Sequence, residues 1–190
     1  MRQSIEQDIK ESIATKQSVL STLVPDIEKA AEILIAALKN GNKILTCGNG
    51  GSAADAQHFA AELTCKYDRD RKALPGIALS TDTSHLTATG NDYSFDDVFS
   101  RTVEALGQKG DVLVAITTSG NSKNILKAIE AAKKKGMHII GLTGKNGGKM
   151  KELDIHKVIV PSNTTARIQE SHIMIIHNWC RLIDSKLASI

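Results

Sequence analysis

The chain has 190 residues, of which 41% are hydrophobic and 24% charged, and its formal net charge is +3. These values are typical of one ordinary globular domain that can bury a sizeable core without staples. Basic residues are scattered and aromatic residues make up only 3%, so neither the basic stripe nor the stacking aromatics of a nucleic-acid binder are visible. The longest apolar stretches, such as residues 33–38, fall well short of a membrane span. We therefore expect neither a nucleic acid nor a membrane as partner.

The cysteines and the N-terminal segment indicate a cytoplasmic protein. Cys47, Cys65 and Cys180 show no C-x-x-C spacing, and an odd number of cysteines without a framework is typical of reduced thiols. The first twelve residues include acidic side chains and lack the apolar segment of a secretory signal.

Two helices are predicted before any strand. Apolar residues recur at roughly helical spacing over residues 3–22, and Pro25 then interrupts the pattern. A second apolar face follows, with Gly41 as a plausible stop. The first helix fits two interpretations equally well, a packing arm of this chain or a contact between subunits.

After Gly41, short apolar runs alternate with helical stretches. Strands are predicted over residues 43–47, 76–80, 112–117, 138–143 and 157–160. Helices are predicted over residues 52–64, 83–89, 96–106, 122–135, 147–152 and 165–187. This alternation predicts an α/β fold, namely a doubly wound sheet of five mainly parallel strands with helices on both faces, plus an N-terminal helical arm. We treat residues 1–190 as a single domain, with helices over 1–40 and the α/β core with its long last helix over 41–190.

The first loop of interest, residues 48–52, follows the first predicted strand and contains three glycines. Glycines let a backbone approach a ligand closely, and Ser52 is placed to cap the next helix. By itself the loop could equally be a plain tight turn. It has neither the dinucleotide G-x-G-x-x-G spacing nor the Walker ending.

The second loop gives a sharper prediction. Hydroxyl side chains crowd the start of a predicted helix after the most hydrophobic strand: Thr117, Thr118, Ser119 and Ser122. A helix N-terminus favours an anion, and hydroxyls add donors, so a phosphate is the natural guest. If Ser122 served only as a helix cap, one hydroxyl would be explained and three would not.

Two predicted helices carry imidazoles and a carboxylate. His58 and Glu62 lie four apart and share one helix face, and the last helix carries Gln169, His172 and His177. Such side chains can bind zinc or move protons, although each taken singly fits a surface or core residue better. Eight residues separate Gln169 from His177, a rise of about 12 Å, so we expect one of them to reach a neighbouring subunit's site.

Five motifs carry a family resemblance. They are GNGGSAADAQHFAAEL at 48–63, GNDYSFDDVFSR at 90–101, TTSGNS at 117–122, GLTGKNGG at 141–148 and ARIQESHIMIIH at 166–177. In this order they resemble the phosphoheptose isomerases, also called sedoheptulose 7-phosphate isomerases, which have the sugar-isomerase (SIS) fold. The resemblance extends over nearly the whole chain.

The resemblance implies roles for particular residues. Substrate binding is expected from Asn49, Gly50, Gly51, Ser52, Glu62, Asn91, Asp92 and Gln169, with Thr117, Thr118, Ser119 and Ser122 as the phosphate cradle. The expected metal ligands are His58, Glu62, Gln169 and His177, with one zinc ion per subunit. The family forms homotetramers with active sites at subunit interfaces, so we expect a homo-oligomer here.

The implied reaction interconverts sedoheptulose 7-phosphate and D-glycero-D-manno-heptose 7-phosphate through an enediol. Its product would feed nucleotide-activated heptose synthesis for surface glycans such as lipopolysaccharide or capsule. Glu62 is expected to be the base and His177 the partner acid/base. A carboxylate held by zinc is a weaker base, so either that ligation loosens with substrate bound or His177 takes more of the proton transfer.

Three other functions stay open at this point. A related branch regulates replication by binding an initiator protein, but there the equivalents of Glu62 and His177 are replaced. Another isomerase of the same fold would be expected to have other motifs after the first loop. A domain that only senses sugar phosphates needs the hydroxyl loop but neither Glu62 nor His177. One position departs from some isomerases, which have Asp where this chain has Ala166, and this puts any role of that Asp in doubt.

Overall fold

The computed structural model describes residues 1–187 and begins with two helices, α1 (Arg2–Thr22) and α2 (Val24–Lys39). Pro25 lies in the first turn of α2, where its missing N–H would have no helical partner in any case. The proline therefore begins the second helix rather than merely interrupting the first. The last three residues of the expected 41–190 core lie outside the described residues.

A five-stranded parallel sheet forms the centre of the fold. Its strands are β1 (Ile44–Cys47), β2 (Gly76–Ala78), β3 (Val112–Thr117), β4 (His138–Gly144) and β5 (His156–Val160), in the order β2-β1-β3-β4-β5. All four strand pairings are parallel. Every residue of β1 and β3 is buried, as expected for a sheet covered on both faces. The predicted α/β fold class is confirmed.

The remaining elements cover the sheet. They are the helices α3 (Gly51–Thr64), α4 (Thr83–Asp92), α5 (Val98–Leu106), α6 (Lys123–Lys134) and α7 (Thr165–Leu187), with 3-10 helices at Phe95–Asp97 and Gly148–Glu152. Several predicted elements differ from the structure, three of them by more than a residue or two at one end or in helix type. The segment predicted as a helix at 147–152 is a 3-10 turn, the stretch at 96–106 begins with another, and the strand predicted at 76–80 ends at Ala78 because Thr81 turns back to bond the Ala78 carbonyl.

Side chains of β3 divide between two cores. Val112, Val114 and Ile116 join α2, α3 and α7 on one face, whereas Leu113 and Ala115 join α5 and α6 on the other. This alternation follows from the two-residue period of a strand. It confirms that helices cover both faces of the sheet.

The N-terminal helix α1 packs on α7 through one side only. The Arg167 guanidinium donates to the Asp8 carbonyl at 2.6 Å, while Thr15 and Val19 are buried. Within residues 1–187, no helix is both long enough and apolar enough to span a bilayer.

Candidate active site

Three hydroxyl side chains meet at the carboxyl end of β3. Thr117 Oγ1 lies 2.9 Å from Ser122 Oγ and 3.4 Å from Ser119 Oγ. Thr117 is buried, whereas Ser119 and Ser122 are partly exposed. We call Thr117, Thr118, Ser119 and Ser122 the hydroxyl cradle. Thr118 belongs to the same turn and is partly exposed.

Ser122 occupies the N-cap position of α6 but makes no side-chain capping hydrogen bond. Its hydroxyl turns to Thr117 instead. The helix N-terminus therefore retains N–H groups that no cap satisfies, and these groups can donate to an anion. A capping role does not account for this serine.

The loop after β4 is hydrogen-bonded to the turn that carries the hydroxyl cradle. Asn121 donates to the Ser119 carbonyl at 3.0 Å and accepts from the Lys149 N–H at 3.0 Å. The Met150 N–H donates to the Gly120 carbonyl at 3.0 Å. Gly120 has a φ of +69°, and a Cβ there would collide with the Gly147 carbonyl, so only glycine fits. The GLTGKNGG motif thus has a structural explanation as the brace of the cradle.

The glycine loop after β1 meets the last helix. A Cβ at Gly51 would collide with the Gln169 amide, so the absence of a side chain brings Gln169 against this loop. The predicted cap at Ser52 was wrong. Helix α3 starts at Gly51 with Gly50 as N-cap, which leaves Ser52 buried inside the first turn.

A reciprocal amide pair joins the two loops. Asn49 Nδ2 donates to Asn124 Oδ1 at 2.9 Å, and Asn124 Nδ2 donates to Asn49 Oδ1 at 2.8 Å. Asn124 is 3% exposed and also accepts from the Ile125 N–H. Sequence reasoning did not find Asn124. The available signal was an amide on a helix face whose other members, such as Ala128 and Ile129, are buried.

The imidazoles and the carboxylate converge between α3 and α7. His58 Nε2 lies 2.9 Å from Glu62 Oε1 and 3.4 Å from His177 Nε2. Tyr67 packs on the His177 ring with a centroid separation of 5.5 Å. We call His58, Glu62 and His177 the histidine–carboxylate cluster. The side chains of His58 and Glu62 are 43% and 20% exposed, so the cluster is open to solvent in one chain.

The predicted metal ligands separate into two groups. Gln169 lies against Gly51 and His177 against His58, which keeps them about two helical turns apart, as their spacing predicted. A tetrahedral zinc ion with bonds of about 2.0–2.1 Å holds its ligand atoms roughly 3.3 Å apart, which is close to the distances in the cluster. Across residues 1–187, no group of three or more His, Cys, Asp or Glu side chains is arranged to hold a metal ion. The side chains of His58, Glu62 and His177 are of kinds that bind zinc, and the two distances between neighbouring atoms suit it. The three atoms form an open row with His58 Nε2 in the middle.

Hydrogen bonding alone does not satisfy the cluster. A ring nitrogen carries at most one hydrogen, so if His58 Nε2 donates to Glu62 it presents no lone pair to His177. Only when both Nε2 atoms are unprotonated does each imidazole present a lone pair beside the Glu62 carboxylate, and these are donors of the kind that zinc accepts.

Asp55, one turn before His58, is a second residue that sequence reasoning missed. Its Oδ2 is buried and has no hydrogen-bond partner among the described residues. Burial raises the pKa of Asp55 to about 6, and the nearby His58 acts in the opposite direction. The i, i+3 spacing from His58 was the signal available in the sequence.

A buried ion pair fixes the end of α3 to α7. Arg71 Nε donates to Asp184 Oδ1 at 2.6 Å, and the same guanidinium donates to the carbonyls of Glu62 and Leu63. Burial alone would raise the pKa of Asp184, but bonds from the Asp68 N–H, from Arg71 and from the Arg69 N–H hold that pKa below its usual value. The pair therefore holds together the two helices that carry the cluster.

Asn91 and Asp92 lie exposed at the end of α4, where Asn91 donates to Asp92 Oδ1 at 2.8 Å. The segment that follows is held to the cradle helix, since Lys127 of α6 bonds Asp97 Oδ1 at 2.6 Å. The structure thus places this pair on the α6 side of the sheet, and its substrate role stays a prediction.

Comparison with known proteins identifies the family of the chain. The SIS domain family model matches residues 9–144. A phosphoheptose isomerase of Aliarcobacter butzleri is 57% identical over 95% of this chain and 97% of its own length. The chain belongs to the phosphoheptose isomerase family of SIS domain proteins.

Solved structures extend this likeness to three dimensions. The phosphoheptose isomerase of Neisseria gonorrhoeae superposes with a TM-score of 0.92 at 51% identity, covering 97% of this chain and 98% of that one. The Francisella tularensis phosphoheptose isomerase gives a TM-score of 0.93 at 41% identity, covering 96% and 97%. The phosphoheptose isomerase fold thus accounts for nearly every described element.

Proposed function

We propose that this chain is an enzyme that interconverts sedoheptulose 7-phosphate and D-glycero-D-manno-heptose 7-phosphate. The observation that carries the proposal is the presence of two complementary sites in one chain. The hydroxyl cradle suits a phosphate, and the cluster of His58, Glu62 and His177 suits proton transfer. A domain that only senses or binds sugar phosphates needs the first of these and not the second.

The reaction moves one proton between C1 and C2 through a cis-enediol. Glu62 takes the carbon-bound proton of the ketose and returns it to the adjacent carbon of the aldose. His177 moves the hydroxyl protons, so no proton is gained or lost overall. The hydroxyl cradle holds the phosphate at the far end, and this remote binding energy orients the reacting carbons.

We propose zinc as the cofactor, with His58, Glu62, Gln169 and His177 as its ligands. A zinc ion bound there would polarise the carbonyl and stabilise the developing oxyanion. Support comes from the kinds of side chain in the cluster and from their spacing, with His58 Nε2 2.9 Å from Glu62 Oε1 and 3.4 Å from His177 Nε2. Because Gln169 and His177 are separated along α7, a complete set needs Gln169 from another subunit or a shift of side chains.

We further propose a homotetramer with interfacial active sites, in which α1 supplies a subunit contact. One side of α1 exposes Ile5, Ile9 and Ile13, each more than half accessible. This ridge leads to an apolar groove of about 650 Å³ between α1, α2 and α7, lined by residues that include Leu20 and Met174. When a two-fold axis relates two copies of the chain, the ridge of each copy can enter the groove of the other. Light scattering on Ile9→Lys, which should give a smaller species, tests this contact.

The proposed location is the cytoplasm, and the proposed product use is nucleotide-activated heptose synthesis for surface glycans. All three cysteines are free thiols, which suits a reducing compartment.

The test of the proposed function is turnover. Purified protein incubated with sedoheptulose 7-phosphate should form the aldose, and five- and six-carbon ketose phosphates should react more slowly. Absence of aldose, with tight binding to a replication initiation protein, would favour the regulatory branch instead. Faster turnover of a shorter sugar would identify a different isomerase.

A further inference from the structure

An amide pair connects the glycine loop to the turn that carries the hydroxyl cradle. Strands β1 and β3 are neighbours, with Cys47 paired to Ala115, so the loops that follow them lie side by side. Each loop has its own brace: Gln169 packs on the glycine loop, and the loop after β4 supports the cradle. Across the gap between them runs the Asn49–Asn124 pair.

The geometry of this pair favours a fixed spacing. Two hydrogen bonds of 2.9 and 2.8 Å close an eight-membered ring between the amides, so the side chains cannot slide past each other without losing both bonds. Asn124 is almost fully buried, and its oxygen accepts a further bond from the Ile125 N–H. Breaking the pair would leave the buried Asn124 Nδ2 donor without its partner, which is costly. The second residue of α6 is thereby tied to the residue just before the Gly50 N-cap of α3.

We propose that Asn124 is a positioning residue, which through Asn49 sets the distance between the phosphate grip and the loop that receives the sugar. This inference rests on the proposed function. Asn124 touches no reacting atom in this account. Its role is to keep the two binding loops in register, so that phosphate binding places the sugar hydroxyls and carbonyl correctly.

Two variants separate positioning from other roles. Asn124→Ala removes the buried partner, and Asn49→Ala removes the other half without touching α6. Either change should lower kcat/KM for sedoheptulose 7-phosphate by about 10- to 100-fold, the loss typical of a misplacement near 1 Å. The inhibition constant of inorganic phosphate should stay close to that of the wild type, because the cradle itself remains. The matched control is Asn40→Ala, at an exposed position at the end of α2, which should retain full activity.

The double variant gives the sharpest readout. If Asn124 acts only through Asn49, Asn49→Ala combined with Asn124→Ala loses no more activity than the more impaired single variant. A double variant far worse than both singles would overturn the proposal, because Asn124 would then act by a route other than Asn49. Lower melting temperatures with unchanged kcat/KM would overturn it too, since the pair would serve folding only. If wild-type protein forms no aldose, the proposed function fails and the inference fails with it, whereas normal wild-type turnover with unaffected variants overturns the inference alone.

Discussion

The hydroxyl cradle and the histidine–carboxylate cluster are built in different ways. Cradle side chains come from six consecutive residues at the carboxyl end of a buried strand, and backbone bonds from a neighbouring loop hold them. Cluster side chains come from two helices, with His58 and His177 separated by 119 positions, and they lie partly exposed. The cradle is therefore a property of one turn, whereas the cluster depends on the packing of α3 against α7.

Because the two parts are built differently, substitutions in them should impair different properties of the protein. A change in the cradle should weaken binding and leave the chemistry intact. A change in the cluster, or in what holds α3 to α7, should act on the chemistry or on stability. Substitutions in each part of the site test that division.

The largest effect is expected at Glu62. Glu62→Gln keeps the size of the side chain but removes the base, so kcat should fall by at least about 100-fold and by up to about 10,000-fold. The matched control, Glu104→Gln at an exposed position of α5, should turn over normally. Near-normal turnover of the Glu62 variant would remove this carboxylate from the mechanism.

The next effect concerns the link between the cluster helices. Arg71→Met leaves Asp184 buried without its charge partner, so unfolding free energy should drop by about 3–5 kcal/mol. Denaturant unfolding measures this loss. Lys29→Met, at an exposed ion pair on α2, provides the comparison and should unfold like the wild type. An equally stable Arg71 variant would show that the pair does not hold the two helices together.

A pH-dependent effect is expected from His172, which lies on α7 between the two halves of the site. Burial lowers the pKa of His172 to about 4, and its ring bonds the Thr143 carbonyl. The unfolded chain takes up this proton near pH 6.5, so stability should fall as pH drops from about 6.5 to about 4, by roughly 3 kcal/mol. His172→Gln should remove that part of the slope.

The pH dependence of stability must be compared between the His172 variant and the wild type, because Asp55 changes stability with pH in the opposite direction. Its raised pKa means that the folded state binds more protons in the acidic range. His138→Gln, at an exposed histidine, should leave the slope unchanged. Identical slopes in wild type and the His172 variant would contradict burial of a neutral imidazole.

The smallest of the expected effects lies in the cradle. Ser119→Ala combined with Ser122→Ala removes two donors to the phosphate, so KM should rise by about tenfold or more while kcat changes little. Ser18→Ala with Ser21→Ala, on the exposed side of α1, is the paired control. An unchanged KM in the cradle variant would place the phosphate elsewhere.

The same division explains what could be predicted from sequence. The cradle could be predicted from the segment Thr117–Ser122 alone. Its hydroxyl side chains lie close together along the chain, after a strand and before a helix, so no long-range contact had to be known. The five strands were visible because buried parallel strands are continuous apolar runs. By contrast, the contact of His58 with His177 depends on how α3 and α7 lie together, and it entered the prediction only through family resemblance.

The errors also have local causes. Ser52 looked like a cap because serine favours that position, but Gly50, with its φ of +55°, is the N-cap, so the helix starts two residues earlier than a cap at Ser52 would allow. Asn124 escaped notice because a single amide near a helix start resembles a solvated residue. Only the three-dimensional pairing with Asn49 reveals its use.

The central claim is that one sugar phosphate is held by the cradle and transformed at Glu62 and His177. Its most direct test is calorimetric titration of sedoheptulose 7-phosphate into Glu62→Gln and into the Ser119, Ser122 double alanine variant, side by side. The account predicts that the Glu62 variant binds the sugar phosphate without converting it and that the cradle variant binds at least about tenfold more weakly. Tight binding by the cradle variant together with loss of binding by the Glu62 variant would contradict it.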